Sequence, residues 1–231
     1  MEKTSEGKLL ELTVRIFSDG MQKRVMSELA STPDEPQPFV MYLVGQTAEN
    51  ENSVLEPCRQ IAEVRADVGL DTVICLAESQ FPPEKRKYPN FAVDWKEKLG
   101  GEESGMEFST FRFPEGPVEH TGTEMIGLVA HAEEQNWSDV LLIASPWHQL
   151  RSFLSAVSAA KKQGSKVRFW NLPGLPLLWT EQSVHSQGVQ TGKRVDFIHA
   201  ELAKVLAYSA RGDIATVDEG IEYLNWRDAQ K

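Results

Sequence analysis

Short apolar runs alternate, from residue 39 to residue 171, with segments in which apolar residues recur every three or four positions. The runs are about six residues long, and those at 39–44 and 139–144 are apolar almost throughout, which is typical of strands buried on both faces of a parallel sheet. The recurring segments predict amphipathic helices. The predicted strands are 39–44, 72–77, 107–113, 139–144 and 166–171, and the predicted helices are 53–68, 122–136, 146–163, 195–209 and 218–227, with an interrupted helical segment at 5–30.

Strands that alternate with helices predict β-α-β units with right-handed crossovers. The predicted fold is therefore α/β: a Rossmann-like, doubly wound, mainly parallel five-stranded sheet with flanking helices and a C-terminal helical extension. We divide the chain into an N-terminal helical segment with a proline-rich linker (1–38), the Rossmann-like domain (39–192) and the C-terminal extension (193–231). The pattern leaves the strand order open. An order of 3-2-1-4-5 would make strands one and four neighbours, with a ligand crevice beyond their carboxyl ends.

The composition excludes several classes of function. A net charge of −10 argues against general nucleic-acid binding, which needs a basic surface. No apolar run approaches the roughly 18 residues that span a bilayer, and the N-terminus has no apolar stretch typical of a signal peptide. We therefore predict a cytoplasmic protein with no membrane partner. Cys58 and Cys75 belong to no CxxC pattern and the chain has no HExxH, so no metal site is predicted.

The charge is distributed unevenly along the chain. Residues 1–146 contain 13 basic and 26 acidic residues, whereas residues 147–211 contain nine basic and three acidic ones. The basic section begins where a buried strand is predicted to end, and it would attract a small anion. The alternative is a solvated basic face with no ligand.

The first candidate site follows the strand at 139–144. Ser145 and Pro146 are the residue types that cap and begin a helix, and a helix start exposes backbone N–H groups that bind phosphate or carboxylate. His148 and Arg151 lie three residues apart and so share one face of that helix. Arginine offers two parallel donors to an anion, and histidine can donate a hydrogen bond or move a proton. In the structural alternative, both side chains contact only neighbouring protein groups.

Two further segments are predicted to meet this site. Thr121 and Glu124 have the spacing of a capping box, which would explain them structurally, but Glu124 could equally reach across the crevice to orient His148. Gly45 and Gln46 follow the first strand, where a glycine lets the backbone approach a ligand.

The predicted catalytic residues are therefore His148 and Glu124. The predicted ligand-binding residues are Gly45, Gln46, Thr121, Ser145 and Arg151.

Other features carry less chemistry. The chain has no GxGxxG, no P-loop and no GxSxG, so the standard nucleotide-binding and serine-nucleophile motifs are missing. His131, His185 and His199 stand alone in the sequence and are interpreted as ordinary helix or loop residues. The long irregular region 78–105 is either a lid over the site or a surface insertion.

One resemblance rests on a pair of motifs. Thr121 and Glu124 begin one helix, and about 20 residues later an apolar strand ends in Ser145, His148 and Arg151. This arrangement resembles the YdcF/SanA/ElyC-type domain of unknown function over roughly residues 39–172. The resemblance implies a Rossmann-like fold with a pocket at the carboxyl edge of the sheet, a link to envelope and lipid-carrier metabolism, and S-adenosylmethionine as a cofactor of some members. It supplies no reaction, and Gly45-Gln46 stands where the family usually has Gly-Gly.

Three hypotheses follow. In the first, the chain is an enzyme or a binding protein for a small anionic metabolite that is phosphorylated or nucleotide-like. In the second, it is a non-catalytic cofactor-binding regulatory or interaction module that forms homo-oligomers through its C-terminal helices. In the third, the crevice is a structural remnant in which His148 and Arg151 are tied to protein groups.

Overall fold

A five-stranded, all-parallel sheet forms the centre of the protein in the computed structural model, which describes residues 4–19, 38–81, 85, 91–101, 106–114, 119–185 and 190–230. The strand order is β3-β2-β1-β4-β5, so the predicted Rossmann-like α/β fold is confirmed and the strand order that the sequence left open is settled. The strands are β1 (Phe39–Leu43), β2 (Thr72–Glu78), β3 (Glu107–Arg112), β4 (Asp139–Ala144) and β5 (Arg168–Pro173).

Helices connect and flank these strands. The helices are α1 (Ser5–Phe17), α2 (Asn52–Asp67), a π-helical turn (Phe91–Trp95) that runs into α3 (Lys96–Lys98), α4 (Thr121–Glu134), α5 (Gln149–Gln163), α6 (Arg194–Arg211) and α7 (Val217–Asp228). A separate antiparallel pair, β6 (Gln182–His185) and β7 (Gln190–Lys193), precedes α6.

The central strands β1 and β4 are buried along almost their whole length, as their apolar sequences require. They pair in parallel, with Leu43 opposite Ile143. The chain direction across the sheet reverses between them, because β2 and β3 lie on one side and β5 on the other. The residues that follow both strands therefore meet at the topological switch point, where ligands of such folds bind.

Helix α5 is buried on more than one side. Residues 152–160 are all buried, because the helix packs against the sheet and also contributes Leu150, Phe153, Leu154 and Val157 to a second apolar core. That second core is completed by residues of α1, α6 and α7 and of the α6–α7 connection. The terminal helices thus share a core with the helix that carries His148 and Arg151 at its start.

A buried ion pair joins the two ends of the described chain. The guanidinium of Arg227 on α7 donates from Nη1 (2.6 Å) and Nη2 (2.7 Å) to the two carboxylate oxygens of Asp19, just after α1. Nη1 also donates to the carbonyl of Phe169 at 2.9 Å, and the guanidinium lies 4.0 Å from the ring of Trp170. Both charged side chains are at least 96% buried, so water stabilises neither charge and each is stabilised by the opposite charge of the other.

Several predicted boundaries are wrong. The fourth predicted helix begins at Gln149 rather than at residue 146, because residues 146–148 form a turn. The β6–β7 pair lies in a stretch for which no strand was predicted. The predicted helix at 21–30 and most of the linker lie outside the described residues, as do parts of the region 78–105. In the part of the chain that the structure describes, no helix has the length and apolar character to cross a bilayer.

Candidate functional site

Residues Gly45 and Gln46, which follow β1, form one wall of the candidate site. A Cβ atom at Gly45 would lie 2.6 Å from Cε2 of Phe91, so no larger residue fits here without moving the ring. The side chain of Gln46 is buried and bridges two residues of the neighbouring chain segment. Its Oε1 accepts a hydrogen bond from Ser145 Oγ (2.9 Å), and its Nε2 lies 3.1 Å from Nδ1 of His148.

The ring of His148 is buried and engaged at both nitrogens. Gln46 Nε2 can only donate, so Nδ1 of His148 accepts, and the neutral ring then carries its hydrogen on Nε2. That nitrogen lies 3.2 Å from Oγ1 of Thr121, which accepts the hydrogen bond. Burial, reinforced by the charge of Arg151, holds the pKa of His148 well below its ordinary value. The imidazole is therefore neutral at neutral pH.

Arg151 is held by two elements that are distant in sequence. Its Nε donates to Glu201 Oε2 on α6 at 2.5 Å, and its Nη1 donates to Thr121 Oγ1 on α4 at 3.0 Å. The hydroxyl of Thr121 thus accepts from both Arg151 and His148, which leaves its own hydrogen for a further acceptor.

Glu201 is the shared counter-ion of the site. Besides Arg151, its carboxylate accepts from Lys204 Nζ (2.7 Å) and from His185 Nε2 (3.0 Å). Burial alone would raise the pKa of Glu201, but the hydrogen bond from His185 and the charge of Arg151 outweigh it and hold the pKa far below its usual range. Burial also lowers the pKa of His185, so that its ring donates as a neutral group.

Glu124 is buried on the other side of the site. Its Oε1 accepts hydrogen bonds from the hydroxyl of Tyr42 (2.5 Å) and the backbone N–H of Gly45 (2.7 Å). Its Oε2 has no hydrogen-bond partner among the residues that the structure describes. Burial raises the pKa of Glu124 to about 7, in spite of those hydrogen bonds and the charge of Arg151. The carboxyl group can therefore exchange a proton near neutral pH.

Two spaces meet at Arg151. We call the first the inner cavity: about 30 Å³, room for one or two waters, at the ends of β1 and β4. We call the second the outer groove: about 630 Å³, between α4, α5 and α6. His120, Thr121 and Arg151 line both. The inner cavity is also lined by Gly45, Gln46, Thr47, Phe91, Phe113, Glu119, Glu124, His148 and His185.

The structure brings six of the seven predicted site residues to the inner cavity: Gly45, Gln46, Thr121, Glu124, His148 and Arg151. The seventh, Ser145, is fully buried behind Gln46 and donates to it. The functional roles assigned to these residues stay predictions.

Two local interpretations of these residues are wrong. Thr121 and Glu124 do not form a capping box. His120 caps α4 instead, its Nδ1 accepting from the N–H groups of Gly122 and Thr123, while Thr123 completes the box. Ser145 does not cap α5 with its side chain. The backbone N–H groups of His148 and Gln149 donate to the carbonyl of Ser145, so these two groups are not free for an anion.

The sequence interpretation missed other members of the site. His185 was interpreted as an isolated loop residue, but its ring centre lies 5.8 Å from that of His148 and it donates to Glu201. Glu201 and Lys204 lie on a helix assigned to the C-terminal extension. Nothing in the spacing of Glu201 and Lys204 links them to Arg151, which lies 50 residues before Glu201. The one available signal for a role of Glu201 was that it is an acidic residue within the basic section 147–211.

The described residues contain no group of three or more histidine, cysteine, aspartate or glutamate side chains that could hold a metal ion. Cys58 and Cys75 are both buried, and burial raises the pKa of the Cys58 thiol to about 12. Neither thiol belongs to the site.

Comparisons with known proteins add little. No protein-family model matches the chain, and no curated protein matches it. Among solved structures, the chain is similar to a protein from Chromobacterium violaceum that is described as a member of the isochorismatase family, at 13% identity and a TM-score of 0.40, over 76% of this chain and 88% of that one. The resemblance to the YdcF/SanA/ElyC-type domain therefore stays a prediction.

Proposed function

We propose that this chain binds a small anionic metabolite, phosphorylated or nucleotide-like, at the carboxyl edge of the sheet, with Arg151 as the group that holds the anion. One observation carries the proposal. Arg151 lines both the inner cavity and the outer groove, and its Nε and Nη1 are fixed by Glu201 and Thr121, while Nη2 has no hydrogen-bond partner among the described residues. A guanidinium already fixed in place loses little conformational freedom when an anion binds.

Thr121 supports the same anion position. Its oxygen accepts from Arg151 and His148, and its own hydrogen is available to a ligand oxygen beside Nη2 of Arg151. The side chain of Arg151 is 11% exposed, so the anion would meet the guanidinium in a largely desolvated place, where a charge-assisted hydrogen bond is strong.

Turnover of the bound metabolite would need a group that moves a proton. Glu124 is suited to this role because its Oε2 is unpartnered within the described chain and its pKa is raised by burial to about 7. His148 suits a different role. Both of its ring nitrogens are engaged and its pKa is lowered by burial, so it orients Thr121 rather than exchanging a proton.

A second candidate function is a non-catalytic module that binds a cofactor and regulates or contacts another protein. The size of the inner cavity favours it, since about 30 Å³ admits water but not a reacting group together with water. In that case Glu124 serves only to support Tyr42 and Gly45. Association through the C-terminal helices and a cytoplasmic location belong to this proposal as predictions.

S-adenosylmethionine, which the family resemblance implies for some members, fits this site poorly. That molecule carries a sulfonium and an ammonium group against one carboxylate, so it is cationic overall. The outer groove is lined by Arg151, Lys162, Lys204 and Arg211 and by Asp213 as its one acidic residue within the described chain. An anionic ligand fits this lining better, and we derive no step that involves S-adenosylmethionine.

Thermal shift with a panel of phosphorylated sugars, nucleotides and S-adenosylmethionine tests the proposal. A ligand present at about 100 times its Kd adds about 2.7 kcal/mol to the free energy of unfolding, which raises Tm by several degrees. We expect this shift for at least one anionic compound and its loss in Arg151→Gln. Arg112→Gln is the matched control, because Arg112 is 79% exposed on β3 and its side chain lines neither space.

The proposal fails if no anionic compound raises Tm, or if Arg151→Gln retains the full shift. Glu124→Gln separates the two candidate functions. Loss of turnover with retained binding supports the enzyme, whereas an absence of turnover in the parent protein with every compound that binds supports the non-catalytic module.

A further inference from the structure

Helices α5 and α6 run side by side along the outer groove. Arg151 Nε contacts Glu201 Oε2 at 2.5 Å. Lys162, eleven residues further along α5, contacts through Nζ the carbonyl of Gly212 at 3.2 Å, and Gly212 directly follows α6, eleven residues after Glu201. Equal spacing between two successive contacts means that the helices are roughly parallel. At a rise of 1.5 Å per residue, eleven residues cover about 16 Å, which is the approximate length of the groove between these contacts.

The inner end of the groove is lined by two cations, Arg151 and Lys204, and by no acidic residue of the described chain. Both contact the carboxylate of Glu201, which does not itself line the groove. His185, which also contacts Glu201, is neutral because burial lowers its pKa. An anion at this end would meet both cations, and Nη2 of Arg151 has no hydrogen-bond partner among the described residues.

The outer end of the groove is lined by two further cations, Lys162 and Arg211. Arg211 pairs with Asp213 at 2.8 Å and lies 4.7 Å from the ring of Tyr208. Lys162 donates to the uncharged carbonyl of Gly212 and has no carboxylate partner among the described residues. Lys162 is therefore the cation at this end that a ligand anion would pair with.

The floor between the two ends is uncharged. Ile126, Ala159 and Ile214 supply apolar surface there, and Ser155 and Ser158 supply hydroxyl groups. The volume of about 630 Å³ lies within the range of small-molecule sites, roughly 300–1,000 Å³. The groove therefore has the size of a ligand site, with two cations at each end, Asp213 as the one acidic residue in its described lining, and a partly apolar centre.

We infer that the ligand of the outer groove carries two anionic groups at the ends of an uncharged, partly apolar spacer, the first held at Arg151 and the second at Lys162 and Arg211. This inference rests on the proposed function, since it uses Arg151 as the inner anchor. It adds the second anchor and the separation between the two anions. A ligand with one phosphate would leave Lys162 without an anionic partner.

Isothermal titration calorimetry with synthetic phosphonates tests the inference. The probes are butane-, hexane-, octane- and decane-α,ω-bisphosphonate, each paired with the alkyl monophosphonate of equal length. We expect the bisphosphonate to bind at least about tenfold more tightly than its monophosphonate at one intermediate length, the factor that one charge-assisted hydrogen bond typically contributes. At shorter and longer lengths the ratio of the two Kd values should fall.

Variants locate the second anchor. Lys162→Gln combined with Arg211→Gln should bring the ratio close to one. Lys161→Gln is the matched control, because the neighbouring Lys161 pairs with Glu219 outside the groove and should keep the ratio of the parent protein. Lys162→Gln alone, at an exposed position, provides a second reading if the double variant is less stable, and it should lower the ratio in part.

The outcomes separate this inference from the proposed function. A ratio near one or two at every length, or a ratio that the double variant leaves unchanged, overturns the second anchor, while monophosphonate binding that depends on Arg151 preserves the proposed function. If neither class of phosphonate binds, the inference is overturned, while the thermal-shift panel still decides the proposed function.

Discussion

The inner cavity and the outer groove meet at Arg151, yet they are built differently. The inner cavity lies at the ends of parallel strands, and its polar side chains are buried and bonded to one another, from Ser145 through Gln46 and His148 to Thr121. The outer groove lies between helices, is about twenty times larger by volume, and its cations at the far end are exposed. The first space is a connected hydrogen-bond network, and the second is open to a ligand.

The two spaces therefore contribute differently. The inner cavity fixes the positions of polar groups, and the outer groove offers charges to a ligand. Buried polar networks define a unique arrangement of the groups around them, and each member depends on the others. Exposed cations can be exchanged with little effect on stability, because water solvates them in the absence of a ligand. Arg151 lines both spaces. The hydrogen bonds that fix its guanidinium therefore also fix the position at which a ligand in the groove would bind it.

The largest effect is expected for Glu201→Gln, because Glu201 holds Arg151, the residue at which the two spaces meet. The substitution leaves Arg151 and Lys204 without their shared carboxylate, and removal of one partner from a buried ion pair typically costs about 3–5 kcal/mol of unfolding free energy. Urea unfolding followed by circular dichroism measures it. Glu78→Gln is the control, because Glu78 pairs with Arg112 at the surface and its loss should cost no more than about 1 kcal/mol. Equal losses in the two variants would contradict the distinction between network and surface.

A smaller effect is expected for Glu124→Gln, and it should depend on pH. The pKa of Glu124 is raised in the fold from 4.5 to about 7, so between these values the native state binds more protons than the unfolded state at this group. The contribution of Glu124 to stability is therefore complete below about pH 4.5 and is lost as the pH rises through 7, a change of about 3 kcal/mol.

Histidines with lowered pKa values change stability in the opposite sense in the same pH range. His120, His148 and His185 bind fewer protons in the folded state, so their contribution grows as the pH rises toward their ordinary pKa. The useful quantity is therefore the difference in unfolding free energy between Glu124→Gln and the parent protein at each pH. A difference that stays constant from pH 4.5 to pH 8 would show that the pKa of Glu124 is not raised.

The smallest effect is expected at the far end of the groove. Lys162→Gln and Arg211→Gln should each change the free energy of unfolding by no more than about 0.5 kcal/mol, since both side chains are exposed. The same urea titration measures these changes. A loss comparable to that of Glu201→Gln would mean that the outer cations support the fold, and the contrast between the two spaces would disappear.

Much of the sheet could be predicted from the sequence, because the strands are short apolar runs whose burial follows directly from their composition. The site residues on those strand ends were also predictable, since Gly45, Gln46, Ser145 and His148 follow β1 and β4 within a few positions. A parallel sheet brings such residues together whenever the two strands are neighbours. The strand order that makes them neighbours is a tertiary property, and it required the structure.

The rest of the site could not be predicted, because it depends on contacts between distant segments. Glu201 contacts Arg151 because α6, which follows the β6–β7 pair, packs beside α5. The polar sequences of β6 and β7 have no apolar alternation that would predict strands. The capping box was wrongly assigned because several residues at the start of α4 can cap a helix. The choice of His120 leaves Thr121 and Glu124 for tertiary contacts.

The Asp19–Arg227 pair has a consequence for the order in which the molecule is assembled during synthesis. The two residues are 208 positions apart, and a ribosome that adds about 5–20 residues per second needs roughly 10–40 s to make the chain between them. Throughout that time the carboxylate of Asp19 lacks the guanidinium of Arg227, and α1 lacks one of the elements that it packs against, since β5 and α5 are made before α7. The second apolar core is completed only when α7 has been made, because Leu224 of α7 belongs to it.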